Sequence, residues 1–208
     1  VDRGIIPGYC SMVIWHNCVL HVDAYGYADL EHKRPMRTDT LVRLYCISKS
    51  VVAIALMLLV EQGKCALEDD VAKYVPAFEG ARVVAHRGND RPSAQDPVAP
   101  TKITLRRLLT HCSGLGYGKE FGLKPETAAE KSYQDLVAGV ESGSVRSIGE
   151  FCDRLAALPL RAAPGEQFEY SYGLDVIGRV IEVASGQALD RFLEERLFGP
   201  LGMADTGF

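Results

Sequence analysis

The chain has no apolar stretch able to cross a bilayer. Its longest run, Val51 to Val60, is ten residues, about half of the roughly 20 that a membrane-spanning helix requires. It also lacks any Lys/Arg cluster: 23 basic against 27 acidic residues leave a formal net charge of −4, with no electrostatic footprint for DNA, RNA or an anionic membrane. The five histidines, at positions 16, 21, 32, 86 and 111, show no metal-ligand spacing, so neither a metal nor another cofactor is expected. Six cysteines, Cys10, Cys18, Cys46, Cys65, Cys112 and Cys152, contain no C-x-x-C pair. Reduced, buried thiols are expected rather than disulfides. Val1 to Gly8 has neither the apolar core nor the small-residue cleavage site of a signal peptide, and the expected location is the cytoplasm. Internal repeats and low-complexity tracts are absent too. These absences leave small molecules as the expected partners; oligomeric state is open.

At 208 residues, 47% hydrophobic and 24% charged, the chain can bury one sizeable core, and residues 1–208 are expected to form a single domain. Ser11 to Trp15 and Cys18 to Gly26, separated by His16-Asn17, read as a β-hairpin. Asp29 to Asp39 reads as a loop leading to a helix that stops at Gly63. A turn and one short helix are expected over Leu67 to Pro76, and a loop over Arg82 to Pro100. Thr104 caps a helical turn that runs into the glycine-broken loop Thr110 to Gly116. Helical spacing returns at Lys131 to Val140, Ile148 to Ala157, Gly173 to Ser185 and Ala188 to Leu197. The pattern is α+β, with two strands followed by helices and loops.

The chemistry concentrates in Arg43-Leu44-Tyr45-Cys46-Ile47-Ser48-Lys49-Ser50, at the start of the apolar run. Residues i and i+3 share a helix face, so the Cys46 sulfur and the Lys49 amine can point into one pocket. At a helix N-terminus the free N–H groups and the dipole favour a thiolate and disfavour an ammonium. The plain alternative is a buried cysteine in a core helix with Lys49 reaching the surface. Tyr170 likewise reads, on its own, as an aromatic packing residue before a helix.

Three separated segments support one another. Arg43 to Lys49, Leu108-Leu109-Thr110-His111-Cys112-Ser113-Gly114-Leu115, and Pro164 to Leu201 with Tyr170-Ser171-Tyr172 and Pro200-Leu201-Gly202-Met203 together resemble the beta-lactamase-related family. That family includes class C beta-lactamases, low-molecular-weight penicillin-binding proteins and related esterases. The resemblance implies a beta-lactamase/transpeptidase-like fold, with the hairpin belonging to a larger antiparallel sheet. It also implies an S-x-x-K motif whose serine is acylated while the lysine handles its proton. Cys46 stands at the serine position and Lys49 at the lysine. Tyr170 matches the tyrosine of the second motif, and Tyr172 replaces its asparagine as a substrate-binding position. His111 falls in a structural loop of the family.

The resemblance further implies C-terminal strands with a third motif and one oxyanion donor. The chain stops before them and reads as the N-terminal two-thirds of such a protein. The expectation is an acyl-enzyme hydrolase or acyltransferase, esterase-like, acting on small esters or amides through Cys46, Lys49 and Tyr170, with a thioester intermediate. The alternative is a non-catalytic or truncated member, favoured by loss of both the serine and the asparagine and opposed by retention of Lys49 and Tyr170.

Overall fold

The computed structural model describes residues 1–81, 83, 102–118 and 128–208, with backbone alone at Ala128 and Ala129. The loop expected over Arg82 to Pro100 therefore lies, apart from Val83, outside the described residues. Two compact units follow one another along the chain, Val1–Tyr45 and Cys46–Phe208.

In the first unit, β1 (Gly8–Trp15) and β2 (Cys18–Asp29) pair antiparallel from Gly8↔Gly26 to Trp15↔Cys18. The turn residues His16 and Asn17 take φ of 45° and 61°, the positive pair that matches the twist of a two-residue hairpin. The sheet has a third member where the sequence predicts a loop: β3 (Arg34–Pro35) pairs with the end of β2. The reversal between them is local. Asp29 accepts from the His32 N–H at 3.1 Å, and Lys33, at φ 50°, donates its N–H to the Leu30 carbonyl. Pro35, which has no N–H to give a ladder, sits in the edge strand.

The second unit is helical. A 3₁₀ turn, Tyr45–Ile47, leads into α1 (Ser48–Glu61), whose Val52, Ala55, Leu56 and Leu59 are buried. Gly63, at φ 69°, follows its C-terminus. Short 3₁₀ turns at Val71–Lys73 and Pro76–Gly80 replace the single short helix expected there. α2 (Leu105–Leu109) starts where Thr104 accepts from the Arg107 N–H, and α4 (Ile148–Ala156) where Ser147 accepts from the Glu150 N–H. Between them lies α3 (Ala128–Glu141).

α5 (Gly173–Ser185) runs through the core with Leu174, Val176, Ile177, Val180 and Ile181 buried, and ends at Gly186 in the left-handed region. It packs against α1, α2 and α4. A side chain at Gly173 would meet the Leu108 carbonyl at 2.6 Å, so glycine there lets the start of α5 close on the end of α2. α6 (Leu189–Leu193) continues directly into a π-helical turn, Glu194–Phe198. Among the described residues no helix is long and apolar enough to cross a membrane.

The expectation of buried thiols holds for Cys65 and Cys152 but not for Cys10 and Cys18, which are exposed. Those two stand on a ribbon whose Met12, Ile14, Trp15 and Leu20 are exposed as well, so small and apolar in sequence did not mean buried there.

Candidate active site

Cys46 sits in the 3₁₀ turn just ahead of α1, one turn before Lys49, and its side chain is exposed. That removes the alternative of a buried core cysteine. The residue before it, Tyr45, is held at φ 47°, a left-handed conformation that a bulky residue adopts only where its surroundings impose it.

The second segment arrives 124 residues later. The Tyr170 hydroxyl donates to the Cys46 sulfur across 3.1 Å. The Lys49 ammonium stands 5.1 Å from the centre of the Tyr170 ring and 5.9 Å from that of Tyr117, within cation–π range. Three of the residues named from sequence, Cys46, Lys49 and Tyr170, thus come together. Burial works to lower the Lys49 pKa, but its hydrogen bond to Tyr170 and the charges of Asp175, Tyr170 and Cys46 outweigh that, and the net shift is upward. Lys49 is therefore an ammonium at neutral pH, against the helix-dipole expectation. The Tyr170 phenol is pushed up by burial and by its bond to Cys46, with Lys49 opposing.

Tyr170 is held by a loop the sequence marked without explaining. The His111 carbonyl accepts from the Glu169 N–H at 2.8 Å, and His111 Nδ1 accepts from the Ser171 N–H at 3.2 Å. The His111 ring lies 4.7 Å from the Tyr170 ring, tilted by 31°. Burial and the nearby Lys49 charge push the His111 pKa down, so it is a neutral acceptor at pH 7. The loop itself is fastened to a later segment: Gly114 accepts from the Arg161 N–H, and Cys112 from the Gly165 N–H.

The fourth named residue, Tyr172, packs in an aromatic group beside Tyr170. It precedes α5 and stacks on Tyr117 at 4.5 Å and 26°, with Phe151 edge-on at 5.4 Å. Tyr117 was missed by the sequence reading. It also meets Tyr170 edge-on at 5.1 Å, and so links the cysteine to a cleft of about 490 Å³ lined by Tyr117, Tyr172, Phe151 and residues of α3 and α4. Its only sequence signal is an aromatic set between Gly116 and Gly118. Among the described residues no group of histidine, cysteine and carboxylate side chains could hold a metal ion.

The chain is similar to known proteins along nearly its whole length. The family described as Beta-lactamase matches residues 2–208. Esterase EstB of Burkholderia gladioli is 39% identical over 98% of this chain and 47% of its own length. The lovastatin esterase of Penicillium rubens is 32% identical over 85% of this chain and 41% of its own length. Among solved structures, EstCE1, a hydrolase with promiscuous acyltransferase activity, superposes with a TM-score of 0.79 at 31% identity, covering 97% of this chain and 48% of that one. The chain spans about half the length of the curated relatives it matches, a smaller share than the two thirds expected. Its relatives include esterases and acyltransferases with a beta-lactamase/transpeptidase-like fold, and the chain belongs to the beta-lactamase family.

Proposed function

We propose that this chain carries the nucleophile of an acyl-transfer enzyme acting on small esters, with Cys46 as nucleophile, Lys49 as its cationic partner and Tyr170 as proton relay. The observation that carries the reading is the 3.1 Å hydrogen bond from the Tyr170 hydroxyl to the Cys46 sulfur, with the Lys49 ammonium against the Tyr170 ring. The esterase relatives favour ester over lactam chemistry.

In the proposed reaction the Cys46 thiolate, stabilised by the Tyr170 hydroxyl and the Lys49 charge, attacks the ester carbonyl. The Cys46 N–H, ahead of α1, is one donor to the oxyanion. Tyr170 gives its proton to the departing alkoxide, and the phenolate takes one from Lys49. Carbon–oxygen cleavage leaves a thioester on Cys46. An incoming alcohol or water then loses its proton to the Tyr170–Lys49 pair and attacks the thioester. The acyl group leaves as a new ester or as an acid, and the thiolate is restored. Hydrolysis and acyl transfer differ only in the acceptor.

The test is intact-mass measurement after exposure to p-nitrophenyl butyrate and, separately, to a penicillin, with Cys46→Ala alongside. A butyryl adduct that disappears in Cys46→Ala is the expected result. A folded chain that forms no adduct with either reagent would overturn the reading in favour of a non-catalytic member. An adduct with the penicillin alone would replace ester with lactam chemistry.

A further inference from the structure

The cleft beside Tyr117 and Tyr172 has a composition the proposed chemistry does not by itself require. Val137 and Val140, one turn apart on α3, line it together with Val145, Ile148 and Phe151. Val140 is 47% exposed, as an apolar residue at an open mouth would be. The cleft also holds polar groups. Arg146 and Ser147 precede α4, while Asp175 is in the first turn of α5.

Two observations join the cleft to the nucleophile. Asp175 and Lys49 feel each other's charge. Aromatic contacts also run without a break from Cys46 through Tyr170 to Tyr117, from Tyr117 to Tyr172, and from Tyr172 to Phe151, with ring centres 5.1, 4.5 and 5.4 Å apart in turn. Tyr117, which lines the cleft, is thus the direct neighbour of the tyrosine that bonds the Cys46 sulfur. A ligand that suits such walls is neutral and apolar for most of its length.

Resting on the acyl-transfer reading, we propose that this cleft is the acyl pocket, and that it selects esters whose acyl part is an unbranched or lightly branched hydrocarbon chain longer than butyryl. Hydrocarbon burial makes such a pocket length-selective: each methylene taken from water favours binding by about fourfold, until the space is filled.

The experiment uses alkyl methanethiosulfonates from ethyl to octyl, with labelling of Cys46 followed by peptide mass mapping, because Cys10 and Cys18 are exposed too. In this reaction the Cys46 thiolate forms a disulfide bond to the alkyl-bearing sulfur, the sulfur–sulfonyl bond breaks, and methanesulfinate leaves with the electron pair. Rates are divided by those of free cysteine with the same reagent. The expected result is an octyl-to-ethyl ratio above about tenfold, falling toward one in Val140→Trp and in Val137→Phe. Val183→Trp, on the exposed face of α5, keeps the full ratio.

A ratio near one in the unaltered chain overturns the pocket, as does a ratio that survives in both filled variants. The labelling needs no ester turnover, so the two readings fail separately. Length-selective labelling with no acyl adduct from p-nitrophenyl octanoate overturns the enzyme and keeps the pocket. An acyl adduct without length selection does the reverse.

Discussion

His111 accepts the Ser171 backbone N–H through Nδ1 at 3.2 Å, and this bond fixes the segment that carries Tyr170. Ser171 is fully buried, so no water replaces His111 if it leaves. Protonation of Nδ1 would turn the acceptor into a donor and set a second cation near Lys49. The His111 pKa is lowered from its ordinary value of 6.5. A histidine held neutral in the folded state contributes stability that is present above pH 6.5 and is lost as the pH falls toward the depressed value. Stability is therefore expected to be flat above about pH 6.5 and to decline below it. His111→Asn, which tolerates the φ of 54°, should flatten that decline and cost about 1–3 kcal/mol at pH 7 for the buried N–H left without its partner. Urea melts across pH 5–8 check both effects; an unchanged slope in the variant would assign the decline to other groups.

Tyr170→Phe removes one oxygen and leaves the ring on His111 and under the Lys49 ammonium. On the proposed mechanism it deletes the proton donor to the leaving alkoxide, a role worth about 10²–10⁴ in rate. Butyrylation of Cys46 by an ester with a poor leaving group, such as ethyl butyrate, should fall by that order. With p-nitrophenyl butyrate, whose leaving group needs no proton, the fall should be about tenfold or less. Equal losses with both esters would place Tyr170 outside proton transfer. The melting curve should barely move, because the ring and its contacts remain.

The parts of this site that sequence exposed are those whose signal is local. Cys46 and Lys49 are one turn apart, Thr104 caps a helix where a hydroxyl precedes an apolar period, and α5 begins and ends at Gly173 and Ser185 as its spacing predicts. Tyr117 escaped because its meaning is tertiary. It stacks on a residue 55 positions away, and neither ring has a periodic neighbour to betray the contact. The third strand escaped for a related reason: two residues including Pro35 carry no alternation, and pairing is decided by the turn at Leu30 to Lys33. The exposure of Cys10 and Cys18 could not be read from their size and polarity. The charge state of Lys49 also depended on Asp175, which only the fold brings near.

Gly114 offers a test of how firmly the site loop must be held. It sits at φ 81°, and a side chain there would meet the Ala162 carbonyl oxygen at 2.1 Å. Backbone cannot retreat as a flexible side chain can, because Gly114 also accepts from the neighbouring Arg161 N–H at 2.8 Å. Gly114→Ala therefore combines left-handed strain with a hard clash and should cost about 2–4 kcal/mol. Gly63, at φ 69° with open space around it, separates the two contributions, since Gly63→Ala carries strain alone and should cost about 1 kcal/mol. Denaturant midpoints of the pair check the difference; equal losses would mean that the loop moves away from Ala162 without penalty.

Cys46→Ser asks whether the cysteine is a working replacement or a remnant. Tyr170 and Lys49 are placed around the sulfur so that one donates a hydrogen bond and the other supplies positive charge. Both contacts suit a thiolate, which needs stabilising more than deprotonating. A serine hydroxyl is a far weaker acid and needs a base, and Lys49, with its pKa shifted upward, is protonated at pH 7. The variant should therefore form its butyryl adduct slowly at neutral pH and faster as the pH rises toward the lysine range. It should keep or gain esterase turnover on a short p-nitrophenyl ester there. The unaltered chain should show its acylation at lower pH. Rates of adduct formation by intact mass from pH 6 to 10 for both proteins check this. A serine variant that is folded yet unacylated across that range would count against a shared acyl-transfer mechanism, and equal pH profiles would remove Lys49 from control of the nucleophile.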